Sequence, residues 1–320
     1  MINILFSSAG RRVALINIFR RAAADLNIGT KIIVADMDPS WSPACQAADV
    51  SYQVSRCTEA DFIPQILEIC SKHNVKLIIP TIDTELIIYA KNRHLFQSIG
   101  TDIHVGDTEF VAIARDKEAT SRILKSNNVP VPESWHVRDL ERMGKVPFPL
   151  LIKPKGGSCS KGISIISSLA ELHEKIDNEE DWLVQELCVG QEYTINCFYD
   201  HTGACVSCVP HFRKFVRDGE VCFAQTERIS AFTSIAHQFS KVFKGIRGCI
   251  CFQGFKRDDS VQVFEINARF GGGYPICDYA GGTFARWLIQ HATGLAPDYH
   301  DNWREGVRML RYDEAFFVDP

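Results

Sequence analysis

The first hundred residues alternate two kinds of apolar pattern. Near-continuous apolar runs at residues 2–8 (INILFSS), 31–38 (KIIVADMD), 75–83 (VKLIIPTID) and 102–106 (DIHVG) predict strands. Between them, residues 12–26 (RVALINIFRRAAADL), 60–74 (ADFIPQILEICSKHN) and 84–98 (TELIIYAKNRHLFQS) predict amphipathic helices. That alternation predicts a parallel α/β sheet, whose ligands bind beyond the carboxyl ends of its strands. Three of those ends are polar: SSAGRR at 7–12, Asp36 and Asp38, and PTIDTE at 80–85. The first holds a single glycine, too few for a dinucleotide fingerprint. It still suits an anion-binding turn at a helix N-terminus, helped by Arg11 or Arg12. In the third, helix capping by Thr81 or Asp83 is an equally good reading.

After residue 106 the pattern changes. Residues 106–134 predict two short helices and a proline-marked exit. Strand patterns then dominate: 149–154, 162–168, 182–187, 192–200, 204–212 and 221–228. A helix at 234–246 precedes two strands, 249–255 and 261–267, and a last helix at 284–294 leads into a polar tail.

The chain of 320 residues is 46% hydrophobic and 23% charged, enough for two or three lobes with ordinary cores. A net charge of −4 gives no sign of a nucleic-acid partner. No apolar run is long enough to span a membrane, and no signal peptide is expected at the N-terminus. Twelve cysteines lie mostly inside apolar patterns, which favours reduced thiols and a cytoplasmic location. Cys205 and Cys208 form one C-x-x-C without a second, a weak metal signal.

Three segments carry chemistry. In LLIKPKGGSCSKGI, 150–163, a glycine-rich connection between two strands can fold over phosphates, and Lys153 stands in an otherwise apolar strand. An ordinary hairpin with a surface lysine is the plainer alternative. In VQELCVGQEYT, 184–194, a strand ends in Gln-Glu and a second acid follows, a plausible purine and ribose pocket or simply solvent-facing acids. In CICFQGFKRDDSVQVFEINAR, 249–269, a hairpin with a three-residue DDS loop would pair Arg257 with Val261 and set Gln253 opposite Glu265. Glu265 and Asn267, two apart on a strand, point to one face. Two amide oxygens and one carboxylate, completed by phosphates and water, suit Mg²⁺ held with a nucleotide. Arg269 suits a transferring phosphoryl group or an acyl oxygen. Gly271, Gly272 and Gly273 then read either as a substrate loop or as a connector to a helix from about 281.

In this order and at these distances, Lys117, Lys153, the glycine-rich loop, VQEL, Glu192 and EINAR resemble an ATP-grasp enzyme, most nearly the carbamoyl-phosphate-synthase large-subunit-like group of carboxylate–amine ligases. The resemblance implies an α/β parallel-sheet pre-ATP-grasp domain (1–106) followed by a two-lobed α+β ATP-grasp fold. Its first part would span 107–187 and its C-terminal lobe, with the metal site, 188–320. It also implies roles. Lys117 and Lys153 would touch ATP phosphates, and Gly156, Gly157, Ser158, Ser160 and Gly162 would form a lid over them. Glu186 and the Cys188 backbone would read adenine, and Glu192 the ribose. Glu265 would bridge two Mg²⁺ ions, with Asn267 on one and Gln253 on the other, and Mn²⁺ as a substitute. Arg269, with Lys153, would serve catalysis. The chain departs from the family pattern at Ala268, where a proline is usual, in the shorter spacing from Gln253 to Glu265, and in a loop less dense in glycine. The implied reaction joins a small-molecule carboxylate to an amine with ATP. An ATP-grasp kinase and a non-catalytic nucleotide-binding regulator are the rivals, and a homodimer is compatible with the resemblance.

Overall fold

A computed structural model describes residues 1–155, 162–178, 181–217 and 219–318. The N-terminal alternation builds β1 (Ile2–Ser7), α1 (Val13–Asp25), β2 (Thr30–Asp36), α2 (Pro43–Gln46), β3 (Val50–Gln53), α3 (Phe62–His73), β4 (Leu77–Pro80), α4 (Asp83–Ser98) and β5 (Asp102–Ile103). The strands form one sheet in the order β3-β2-β1-β4-β5, and every pair in it is parallel. β1 and β4 are buried almost throughout and mostly apolar because both of their faces are covered. β3, absent from the sequence reading, is a half-exposed edge strand and needs no apolar run.

Two short helices follow, α5 (Thr108–Arg115) and α6 (Lys117–Ser126). Asp116 caps α6 by accepting from the N–H groups of Glu118 and Ala119, at 2.9 and 3.0 Å. A small lobe comprises β6 (Ser134–Trp135), α7 (Val137–Arg142), β7 (Leu150–Pro154), β8 (Ser164–Ile166), α8 (Leu169–Lys175) and β9 (Trp182–Glu186). Its antiparallel sheet runs β6-β9-β7-β8. The rest forms β10 (Gln191–Tyr199), β11 (Cys205–Arg217), β12 (Glu220–Thr226), α9 (Ser230–Val242), β13 (Gly248–Arg257), β14 (Ser260–Asn267), α10 (Tyr274–Ala280), α11 (Phe284–Ala292) and β15 (Arg308–Leu310). These strands make an antiparallel sheet in the order β14-β13-β10-β11-β12-β15.

Several sequence expectations shift. α9 starts at Ser230, four residues before the helix expected there. The expected connector after the glycine run contains α10, with a proline in its first turn, where the missing N–H costs no bond. The tail supplies β15, an edge strand on β12. The β13–β14 loop has two residues, with Asp258 at φ 55°, so Arg257 pairs with Ser260 and not with Val261. A bulge at Phe264 then restores register, and Gln253 lies opposite Glu265 as expected.

The core explains how the lobes are joined. Two clusters each mix residues of the parallel sheet with residues of the six-stranded sheet, for example Leu5 with Phe252 and Phe6 with Phe198. The small lobe has a separate cluster: Val137, Leu140, Leu150, Ile152, Ile166, Leu172 and Val184. His104, just after β5, accepts a hydrogen bond from the Cys249 N–H at 2.8 Å. Burial lowers its pKa to about 3, so the ring is neutral and accepts across this joint.

Candidate active site

Between the small lobe and the six-stranded sheet lies a cleft of about 310 Å³. Lys153 enters it from β7. Its side chain is buried, with Nζ 3.5 Å from the Phe264 carbonyl and 5.5 Å from the centre of the Phe264 ring. The bulge that frees Phe264 from strand pairing thus turns its carbonyl toward a buried cation. Lys117, the first residue of α6, brings its Nζ to 3.6 Å from Glu265 Oε1. Burial lowers the Lys153 pKa to about 8; Glu265 raises it and Lys117 lowers it further. Two ammonium groups thus converge on one carboxylate, an arrangement that favours polyanionic ligands.

Glu265 and Asn267 share one face of β14, as two-residue spacing requires, and both line the cleft. Gln253 faces Glu265 across the hairpin. With its amide set to satisfy both neighbours, it donates to Glu265 Oε2 at 3.1 Å and accepts from Arg213 Nη1 at 2.6 Å. Its oxygen is therefore directed at an arginine. Arg213 also reaches Glu192 at 3.3 Å and donates to the Gly219 carbonyl at 3.0 Å. Burial and Glu265 raise the Glu192 pKa, and Arg213 opposes them. The Arg213 side chain is buried in the cleft wall, while the neighbouring Lys214 is exposed.

Arg269 follows β14 and crosses to the parallel sheet. It bonds Asp83 Oδ2 through Nε and Nη2, at 3.1 and 2.7 Å, and Asn267 Oδ1 at 3.1 Å. Burial alone would lower its pKa, but Asp83 more than offsets this and keeps the guanidinium charged. The capping at PTIDTE is done by Glu85, which neither sequence reading proposed. It accepts from the N–H groups of Thr81 and Ile82, at 2.7 and 3.2 Å. In the SSAGRR turn the Gly10 N–H bonds Asp36 at 3.1 Å, so that donor serves the protein itself.

On the far side of Arg269, Arg12 projects into the cleft from just before α1, and Glu220 from the start of β12. Arg311 Nη1 donates to Glu220 Oε2 at 2.8 Å and its Nη2 to the Gly272 carbonyl at 2.6 Å. The glycine run is tight here. A Cβ at Gly271 would lie 2.9 Å from Cys251 Sγ, and one at Gly272 3.0 Å from the Glu220 carboxylate. Glu220 and Arg311 carried no sequence signal: Glu220 falls between two expected strands and Arg311 in the polar tail.

Glu186 and Cys188 line the cleft, and Glu186 accepts from Gln262 Nε2 at 2.5 Å. Gly162, at φ 76°, packs on Pro154 beside the cleft-lining Ile163. Gly156, Gly157, Ser158 and Ser160 lie outside the described residues. For a Mg²⁺ ion, the donor chemistry fits: a carboxylate and an amide oxygen on one strand face, beside lysines that suit phosphate. Among the described residues no group of three or more His, Cys, Asp or Glu could hold a metal alone, so Cys205 and Cys208 build no metal centre there. No helix of the described residues is long and apolar enough to cross a membrane.

Comparison with known proteins finds two family models along the chain. Residues 4–104 match a family model described as the PylC-like N-terminal domain, and residues 114–273, half of the chain, match an ATP-grasp domain. A D-alanine–D-alanine ligase of Fusobacterium nucleatum subsp. nucleatum is 29% identical over 85 residues, covering 26% of this chain and 28% of that protein. The matched stretch thus spans less than a third of that relative. Among solved structures, the biotin carboxylase domain dimer of Hydrogenobacter thermophilus 2-oxoglutarate carboxylase, in complex with MgADP, ADP and bicarbonate, superposes with a TM-score of 0.75 at 15% identity. It covers 96% of this chain and 73% of that one. An L-amino acid ligase from Bacillus licheniformis gives 0.66 at 16% identity, covering 94% and 75%.

Proposed function

The chain belongs to the ATP-grasp family, and we propose that it is an ATP-dependent ligase that activates a carboxylate as an acyl phosphate for attack by an amine. The observation that carries this reading is the convergence of Lys117, Lys153, Glu265, Asn267 and Arg269 on one cleft between two sheets. The amino-acid ligases among its relatives and structural neighbours support it.

ATP and Mg²⁺ are the family's reagents. In this reading Lys117 and Lys153 neutralise the polyphosphate, Glu186 and the Cys188 backbone face adenine, and Glu192 takes the ribose hydroxyls. Glu265 and Asn267 would hold Mg²⁺, and Gln253 would join them after its amide turns away from Arg213; two ions are proposed, with Mn²⁺ as a substitute. The metal would supply charge neutralisation between the phosphates. A substrate carboxylate oxygen attacks the γ-phosphorus, the β–γ bridging bond breaks and ADP leaves. An amine nitrogen then attacks the carbonyl carbon, the C–O bond to phosphate breaks, and phosphate leaves as the nitrogen loses its proton. Arg269, fixed by Asp83, would hold the acyl oxygen or the transferring phosphoryl group. The protein's share is positioning and preorganised charge.

The three-part division at 106 and 187 belongs to this reading, and the separate core of the small lobe supports it. So does a cytoplasmic location, favoured by free cysteines throughout the described residues, and a homodimer is compatible with it. The test is product analysis. ADP and phosphate should form only when both a carboxylate and an amine are present; a stable phosphorylated product without the amine would show a kinase instead.

A further inference from the structure

Arg12 is the least satisfied cation in the cleft wall. Its side chain is 18% exposed, and its guanidinium makes no hydrogen bond to any described residue. Its ion-pair contact there is a long one, 3.8 Å from Nη2 to Glu220 Oε1. Burial and the nearby Arg269 lower its pKa, and Glu220 only partly offsets them, as expected for a cation short of a counter-charge. Arg269 and Arg311, by contrast, are each matched by a carboxylate, Asp83 and Glu220.

Glu220 is complementary. Arg311 fixes its Oε2, and Arg311 is itself anchored by the Gly272 carbonyl and by its own N–H to the Cys222 carbonyl at 2.9 Å. Oε1 accepts no hydrogen bond from a described residue. Burial would raise the Glu220 pKa, but Arg12 and Arg311 outweigh it, so the carboxylate stays ionised. Only glycine at 272 lets that carboxylate stand so close to the loop after Arg269. A cation with open donors and an anion with an open lone pair, too far apart to satisfy each other, ask for one small molecule carrying both signs.

On the ligase reading above, we propose that the activated carboxylate belongs to an α-amino acid. Its ammonium group is taken by Glu220 Oε1, while Arg12 holds its carboxylate beside Arg269. In an α-amino acid the two charged groups are separated by a single carbon, which matches the short gap between Arg12 and Glu220. The other cation at the Glu220 end, Arg311, is already engaged by Glu220 Oε2 and the Gly272 carbonyl, and the cleft-lining neighbours there, Cys251 and the glycine run, are uncharged.

The test uses hydroxylamine as the amine, so that the natural acceptor need not be known. It attacks the acyl phosphate, releases phosphate and leaves a hydroxamate that can be measured by colour. The purified protein, ATP and Mg²⁺ are incubated with a mixture of the proteinogenic L-amino acids and their D enantiomers, or with the matching mono- and dicarboxylic acids lacking the amino group. Wild type should form at least tenfold more hydroxamate from the amino acids. Arg12→Met and Glu220→Gln should each lose at least tenfold of that product, with affinity for a non-hydrolysable ATP analogue unchanged within twofold. Arg12→Met removes no hydrogen bond to a described residue and should fold, so it decides the matter if Glu220→Gln does not. Equal use of acids without an amino group, no product from any amino acid, or Arg12→Met at the wild-type rate would overturn the proposal. Failure of wild type to bind the ATP analogue would instead bring down the ligase reading itself, and this proposal with it.

Discussion

At the scale of single residues, Glu265 and Lys153 should separate most cleanly. Glu265 is partly exposed and its ion pair with Lys117 is long, so Glu265→Gln should change stability by no more than ~1 kcal/mol. Turnover should nevertheless fall by about 10² or more, because a charge aimed at the reacting phosphates is lost. Near-normal ADP release by that variant would remove Glu265 from the metal site. Lys153 sits at about 8, well below its ordinary 10.5, because it is buried. In the free protein it is therefore largely neutral above pH 8. Phosphates would restore the charge, so ATP binding between pH 8 and 10.5 should take up a proton. Calorimetry at pH 8.5–9 in buffers of different ionisation heat should show this uptake. Lys153→Met should abolish it and weaken ATP binding by about 10- to 100-fold, the range of a charge-assisted bond. A buffer-independent enthalpy in wild type would mean that Lys153 does not face the phosphates.

At the scale of elements, the N-terminus of α4 holds a buried acid. Glu85 accepts from two backbone N–H groups and from Ser8 Oγ at 2.9 Å, yet burial still raises its pKa to about 7 from 4.5. Between these values the folded protein keeps a proton that the unfolded chain has released. Stability should therefore fall as pH rises from 4.5 to 7, with the full loss present above 7. Glu85→Gln is neutral throughout and should lack this slope. Denaturant titrations at pH 5 and pH 8 should show the variant gaining on wild type, by on the order of 3 kcal/mol for a shift of this size. An equal difference at both pH values would mean that Glu85 is already ionised in the folded state.

At the scale of the whole molecule, the distribution of cores sets what can move. The parallel sheet and the six-stranded sheet share two clusters and are tied by His104 to β13, whereas the small lobe packs on its own seven buried residues. Rotation of that lobe would break little shared apolar burial. Hydrogen exchange in Leu150–Pro154 and Trp182–Glu186 should slow when a non-hydrolysable ATP analogue and Mg²⁺ are added, with little change in β1 or β13. Equal slowing in all four strands would point to global stabilisation and not to lobe closure.

Local pattern made much of this protein legible. Near-continuous apolar runs in β1, β2 and β4, separated by amphipathic helices, require a parallel sheet covered on both faces. The two-residue spacing of Glu265 and Asn267 places them together whatever surrounds the strand, because side chains alternate along it. The order of lysines, glycine-rich loop, acids and EINAR likewise belongs to the chain alone. Edge strands were harder to see: β3 and β15 owe their pairing to a neighbour and not to an apolar pattern of their own. The bulge at Phe264 is a property of two strands, and it moved the turn by one residue while returning Gln253 to Glu265. Arg12, Glu220 and Arg311 come from the first, seventh and last tenths of the chain, and nothing local relates them. Their charges matter to one another only because the tertiary fold brings them together in one partly buried cleft wall, where an unmatched guanidinium is costly.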